Sequence, residues 1–357
     1  MIKIGYNNSS KHSGSIYHFE KPERVIFCVE MLKKEFGDKY FISNETEINT
    51  NNTKNDLLHI VGLGHNADYI ERMKVYKSNI FVCKNCGVKN LFSQKNKKSF
   101  IEAIISKKNC INCDKYFNLD NIYCFASIDT YYTYYTFDIA LEAIGVIKNL
   151  LDLMIISETK YSFALIRPPG HHCNNDPNGF CVFNNVYIGT KYAQKIGFEK
   201  VLILDIDFHH GDGTQKLIEA NPDENISFVS IHGFGEVIYP KTGFSSNTNF
   251  NILNIPLEMT KDIESRLYIT DDYYQNILDT QIFPFISQKN PDLIIVSLGF
   301  DAHRDDPLEG MNITDSTYLY LSLKLKQLSK PILFVLEGGY NIKTIARIIP
   351  KIVNILE

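Results

Sequence analysis

The stretch Val201-Leu-Ile-Leu-Asp-Ile-Asp-Phe-His-His-Gly-Asp-Gly213 carries an architectural signal and a chemical one. Its first four residues are all apolar, the pattern of a strand buried on both faces of a parallel sheet. Its second half is polar and glycine-containing. In an extended chain alternate side chains share a side, so Asp205, Asp207 and His209 face one way and Ile206 and Phe208 the other. Similar apolar runs occur at 163–166, 226–231, 293–298 and 332–336, and 3–6 reads as a further strand. Stretches with helical spacing lie at 132–153, 185–196 and 317–328. Strand followed by helix, repeated, predicts an α/β fold: a parallel sheet with helices on both sides.

Four of the runs end in polar clusters. Run 163–166 leads into Arg167-Pro-Pro-Gly-His-His172, and 201–206 into Asp207-Phe-His-His-Gly-Asp-Gly213. Run 293–298 leads into Gly299-Phe-Asp-Ala-His303, and 332–336 into Glu337-Gly-Gly-Tyr-Asn341. Open parallel sheets place ligand sites just beyond the carboxyl ends of their strands.

The chemistry follows from residue types. A carboxylate and an imidazole two residues apart, Asp207 and His209, can share a metal ion, and Asp301 at another strand end supplies a third ligand. Zinc takes such nitrogen and oxygen donors and keeps a position open in catalytic sites. Acidic residues directly after a buried strand are costly to desolvate without a cation or partner. His171 and His172, held by a rigid Pro-Pro and a permissive Gly, supply a base for water and an acid for a leaving amine. Asp205 and Asp212 are the nearest carboxylates able to fix their tautomers. The Tyr340 hydroxyl, beside a diglycine, is placed to donate to a developing oxyanion.

Bulk numbers narrow the class. The chain has 357 residues, 44% hydrophobic and 22% charged, which is ordinary for a globular protein. A net charge of −4 argues against a polyanion binder as a whole. No apolar run is long enough to span a bilayer, and the N-terminus lacks the features of an export signal. The expectation is an intracellular, cytoplasmic or nuclear protein that does not engage membranes, its eight cysteines serving as thiols or metal ligands rather than disulfides.

Taken together, the clusters resemble the histone deacetylase superfamily, in its class II and bacterial deacetylase-like branch. Further matching stretches are Gly179-Phe-Cys-Val-Phe-Asn-Asn185, Ser230-Ile-His232, Tyr239-Pro-Lys-Thr-Gly243, the continuation of Asp301 to Leu308, and His18-Phe-Glu-Lys-Pro-Glu-Arg24 near the start. The resemblance implies a three-layer α/β/α arginase/deacetylase fold and a zinc-dependent hydrolase acting on acetyl-lysine of proteins or peptides. It implies zinc at Asp207, His209 and Asp301. His172 would be general base and acid, His171 its electrostatic partner, with Asp205 and Asp212 orienting them and Tyr340 polarising the acyl carbonyl. Phe180, Tyr239, Leu308, Gly179 and Gly339 would line the substrate channel, and Asp129 would hold the substrate backbone at the rim. Potassium would sit near Asp205, Asp207, His209 and Ser230. Leu308 lacks the carboxylate that polyamine-selective relatives carry at that position, which favours a peptide substrate, with acetylpolyamine or another small amide as the alternative. An arginase-like site with two manganese ions is a further rival, for which His303 offers an extra ligand.

One segment stands apart. Between Lys77 and Lys115 lie Cys83-x-x-Cys86 and Cys110-x-x-Cys113, separated by 23 residues, with nine lysines against Glu102 and Asp114. Paired Cys-x-x-Cys units predict a structural four-cysteine zinc site. We delimit it as an insertion, 77–120, in a deacetylase domain spanning 1–357. With little apolar material of its own, it is expected to need the metal as a staple. Its positive charge suits an acidic protein or nucleic acid as partner. Residues 44–56 read as a surface loop.

Overall fold

The computed structural model describes residues 1–42, 51–92, 96–106, 109–260 and 263–357. Eleven strands are present among them: β1 (Ile2–Tyr6), β2 (Ile80–Cys83), β3 (Lys89–Leu91), β4 (Ile122–Phe125), β5 (Tyr131–Tyr132), β6 (Tyr161–Leu165), β7 (Val201–Asp205), β8 (Ile226–Phe234), β9 (Ile252–Glu258), β10 (Leu293–Leu298) and β11 (Ile332–Leu336).

Seven form one sheet in the order β1-β6-β11-β10-β7-β8-β9, every pair parallel. Both faces are covered. Val201, Ile203, Leu293, Ile295, Leu333 and Val335 enter one apolar cluster, shared with helices Thr136–Ile155 and Asn185–Ile196. The alternate residues Leu202, Leu204, Ile294, Val296, Ile332 and Phe334 enter the other, shared with helices Glu23–Phe36, Asp315–Gln327 and Ile342–Leu356. Two-sided burial explains why these strands read as continuous apolar runs, and the result is the expected three-layer α/β/α architecture. Each fully buried aliphatic or aromatic side chain contributes about 1.5–3 kcal/mol.

Two helix caps anchor loops at the carboxyl end of this sheet. The Asn184 side chain accepts from Tyr187 N and starts helix Asn185–Ile196, while its amide donates to Cys173 O at 2.9 Å. Asn341 caps helix Ile342–Leu356 and its amide donates to Asp305 O at 2.8 Å. Both caps satisfy free helix N–H groups and tie a loop to the layer behind it.

The strands β3-β2-β4-β5 make a second, antiparallel sheet. Its apolar content exceeds the sequence-based expectation. Phe81 packs on Phe92 and Phe100 with centroids 5.1 and 4.9 Å apart, and Phe92 packs on Phe117 at 5.5 Å. Phe81, Phe100 and Phe117 are continuous with one core cluster of the main domain. Residues 51–56, read as loop, instead open helix Asn51–Val61, whose Leu57, Ile60 and Val61 are buried; the rest of that stretch, up to 50, lies outside the described residues.

Candidate active site

Strands β6, β11, β10 and β7 are neighbours in the sheet, so their carboxyl ends converge. Asp205 ends β7 and Asp207 and His209 follow it; from the loop after β10 comes Asp301, after β6 His171 and His172, and after β11 Glu337 and Tyr340. All eight are buried.

Donor atoms of Asp207, His209 and Asp301 lie within 4.8 Å of one another. His209 Nδ1 is 3.2 Å from Asp207 Oδ1 and 3.1 Å from Asp301 Oδ2. That is close to the ~3.3 Å edge of a tetrahedron of nitrogen and oxygen donors about 2.0–2.1 Å from zinc. Burial, then the Asp207 charge, push the Asp301 carboxyl up to about 7. Two such buried carboxylates repel unless a cation lies between them, so the donor set fits a zinc ion. A side chain at Gly338 would put its Cβ 2.3 Å from Asp301 Oδ2 and 2.5 Å from Asp207 Oδ2, so glycine is required there. Its N–H donates to Asp207 Oδ2 at 2.8 Å. Among the described residues no further carboxylate–imidazole group of this kind is present. His303 points away, 3.2 Å from Asp315 Oδ1.

Each of the two histidines is held by a carboxylate. His171 Nδ1 meets Asp205 Oδ2 at 3.0 Å, and His172 Nδ1 meets Asp212 Oδ1 at 2.8 Å. Their environments drive them apart. Burial opposes charge on His171, but Asp207 and Asp205 outweigh it and raise its pKa to about 10. Burial, then the neighbouring His171, depress His172 to about 4 against the pull of Asp212. His172 is therefore neutral near pH 7 and keeps Nε2 as its available ring nitrogen.

A cavity of about 210 Å³ opens onto these groups, lined among others by Asp129, Gly179, Phe180, Tyr239, Leu308, Glu309, Gly338 and Tyr340. Gly339, expected in the channel, does not line it; Gly338 does. Gly339 has φ +106° and packs on Phe300, and its carbonyl accepts from Arg24 Nε at 2.5 Å. At the proposed potassium position Asp205 pairs with Ser230 across β7 and β8, and the Ser230 hydroxyl lies 2.9 Å from His232 Nδ1.

Sequence reasoning missed the groups that hold the reactive ones. Asp306 accepts from Tyr340 N at 2.7 Å, Leu308 N at 2.9 Å and Glu309 N at 3.2 Å. Glu337 accepts from Gly170 N at 2.7 Å and His171 N at 3.2 Å. Arg24 reaches the carbonyls of Glu337 and Gly339, and its guanidinium lies 5.1 Å from the Tyr340 ring centre. All three lie in stretches the sequence had marked, around Arg24, between Asp301 and Leu308 and at Glu337, without their roles being assigned.

The family model for the histone deacetylase domain matches residues 18–356. The chain belongs to the histone deacetylase family. It is similar to type-2 histone deacetylase 2 of Dictyostelium discoideum, 29% identical over 96% of this chain and 20% of that protein. It is also similar to the chloroplastic histone deacetylase 14 of Arabidopsis thaliana, 37% identical over 61% of this chain and 52% of the relative. The chain thus spans a fifth and about half of the length of these two curated relatives. Among solved structures, the HDA15 HD domain aligns with a TM-score of 0.75 at 25% identity, covering 99% of this chain and 90% of that one. An acetylpolyamine aminohydrolase from Burkholderia pseudomallei shares the fold, with a TM-score of 0.71 at 19% identity over 99% of this chain and 98% of that one. Both neighbours agree with the α/β architecture of this histone deacetylase-family chain. No helix among the described residues is long and apolar enough to cross a membrane.

Proposed function

We propose that this chain is a zinc-dependent deacetylase that hydrolyses acetyl-lysine side chains of proteins or peptides. The observation that supports this best is the meeting, at one cavity, of a three-donor metal group, two carboxylate-held histidines and a tyrosine. Asp207, His209 and Asp301 would hold the zinc, which when bound supplies Lewis acidity toward an acyl carbonyl and water. His172, neutral and fixed by Asp212, takes a proton from the attacking water at Nε2 and gives it to the leaving amine. His171, cationic between Asp205 and Asp207, stabilises the negative charge that develops beside it. Tyr340 donates a hydrogen bond from its hydroxyl to the carbonyl oxygen; burial raises its pKa well above the ordinary value, so it keeps its proton and stays a donor. Phe180 and Tyr239 face the cavity as apolar walls for an acyl-lysine stem, and Asp129 at the mouth suits a substrate backbone N–H. Potassium near Asp205 and Ser230 is part of the same proposal.

Glu309 favours a second reading, an acetylated polyamine. Its carboxylate lines the cavity beside Leu308, 3.8 Å from His209 Nε2. Arg266 Nη2 lies 2.9 Å from it in an ion pair that offsets its charge, which keeps the peptide reading first. Comparing kcat/KM for an acetyl-lysine peptide and acetylspermidine tests the ranking. We expect the peptide to be preferred at least about tenfold, or 1.4 kcal/mol; preference for the polyamine reverses the order, and turnover of neither sinks both.

A further inference from the structure

Cys83, Cys86, Cys110 and Cys113, on and beside the second sheet, do not line the cavity, and nothing in the proposed reaction uses them. Cys83 Sγ is 3.7 Å from Cys113 Sγ, and Cys86 Sγ is 3.6 Å from Cys110 Sγ. All four sulfurs lie within 4.8 Å of one another. A disulfide needs about 2.0 Å, and all four are free thiols. Zinc bound by four sulfurs at about 2.3 Å sets tetrahedral edges near 3.8 Å.

The surroundings repeat on the two sides. Gly87 N donates to Cys83 O at 2.8 Å, and Asp114 N donates to Cys110 O at 3.2 Å. Gly87 and Asp114 both have positive φ, 71° and 54°. Each Cys-x-x-Cys thus closes the same turn four residues on, presenting two sulfurs to a shared centre. Side-chain amides also point at the sulfurs, Asn85 Nδ2 at 3.8 Å from Cys83 and Asn90 Nδ2 at 3.6 Å from Cys110. N–H donors of this kind stabilise thiolates bound to a metal.

The sheet connects this centre to the cavity. Cys83 ends β2 and pairs with Ile122 of β4, and β4 pairs with β5 through Cys124 and Tyr132. The intervening turn carries Asp129 and Thr130. Asp129 lines the cavity mouth, and Thr130 Oγ1 accepts from Phe180 N at 3.0 Å. Tyr131 of β5 accepts from Arg167 Nη2 at 2.8 Å, at the start of the loop that carries both catalytic histidines.

We propose that Cys83, Cys86, Cys110 and Cys113 bind one zinc ion as thiolates, their protons leaving to solvent, and that this ion holds the rim segment 126–131 in place. The metal site stands independently of the proposed activity; its effect on substrate binding rests on that reading. Purified protein would be compared with the double variant Cys110→Ser/Cys113→Ser and with Asp207→Asn. We expect metal analysis to give near two zinc ions per chain, and near one in each variant. Hydrogen exchange across 122–132 should accelerate in the cysteine variant alone. There KM for the acetyl-lysine peptide should rise roughly tenfold with kcat within about twofold. Cobalt substitution of Asp207→Asn should give intense thiolate-to-metal absorption, a readout that needs neither turnover nor a folded cysteine variant. Absence of that absorption, or unchanged zinc content in the cysteine variant, overturns the site. Zinc lost with unchanged exchange and KM overturns the coupling. If no substrate is turned over, zinc content and exchange still decide the proposal.

Discussion

At the carboxyl end of the seven-stranded sheet, Asp207, His209 and Asp301 follow directly on strands buried on both faces, and His209 opens onto the cavity. Beside the four-stranded sheet, Cys83 at the end of β2 and Cys86, Cys110 and Cys113 on adjoining turns bring four sulfurs within 4.8 Å of one another. The first cluster is preorganised by a core that exists without any ion. The second draws on three aromatic pairs at the margin of that core and on a few short strands, and a metal there would contribute folding energy directly. A large core lets a site keep a vacant coordination position for chemistry. A site at the margin of the core would commit every ligand to holding its own segment in place.

The sharpest way to break this contrast is His172→Ala. It should lower kcat by about 10²–10⁴-fold while leaving zinc content and thermal stability unchanged, read by steady-state turnover, metal analysis and calorimetry. A fall in zinc content would mean the histidine serves the scaffold rather than the reaction. Next comes the seam between the two regions. Glu20 is buried against Arg167, Arg24 and the Tyr131 hydroxyl, which it meets at 2.9 Å. Burial opposes its charge, but Arg167 overrides this and holds its carboxyl far below the ordinary range. A carboxyl depressed in the folded state stabilises above its unfolded pKa and loses that stabilisation as pH falls. Stability from Glu20 should therefore be complete at neutral pH and decline below about pH 4.3. Glu20→Gln should cost about 3–5 kcal/mol at pH 7 and flatten the acid limb of a denaturant-midpoint curve; an unaltered curve would detach the seam from both regions. Smallest is Tyr340→Phe, which should lower kcat by about 10²–10³-fold with unchanged exchange across 122–132. Altered exchange there would show that the two regions share more than the rim.

The same contrast explains what the sequence disclosed. Strands β7, β10 and β11 were legible because two-sided burial writes each as an unbroken apolar run. Strand β9 was not, since it is an edge strand, half-buried at Leu253 and Pro256 and interrupted by Asn254. In the small sheet, β2 and β3 are only four and three residues long, too short for a period to emerge, so the cysteine spacing had to stand in for it. Asp207, His209, Asp301 and the two histidines could be read because they directly follow strands. Arg24 and Glu337 escaped because they act on backbone groups distant in sequence, and Asp306 because its tie to Tyr340 N does so; Arg24 reaches Gly339, 315 positions away. Gly339 was misplaced by one residue for a related reason, since which of two adjacent glycines faces the cavity depends on backbone rotation.

Asp306 has a consequence for how this protein can diverge. One carboxylate fixes the backbone of Tyr340 and of the two cavity residues Leu308 and Glu309. Lengthening or shortening that loop to admit a new substrate would move the tyrosine with it. Exchange of side chains at 308 and 309 leaves that anchor in place, whereas an insertion between them and Asp306 would pull on the tyrosine's backbone as well.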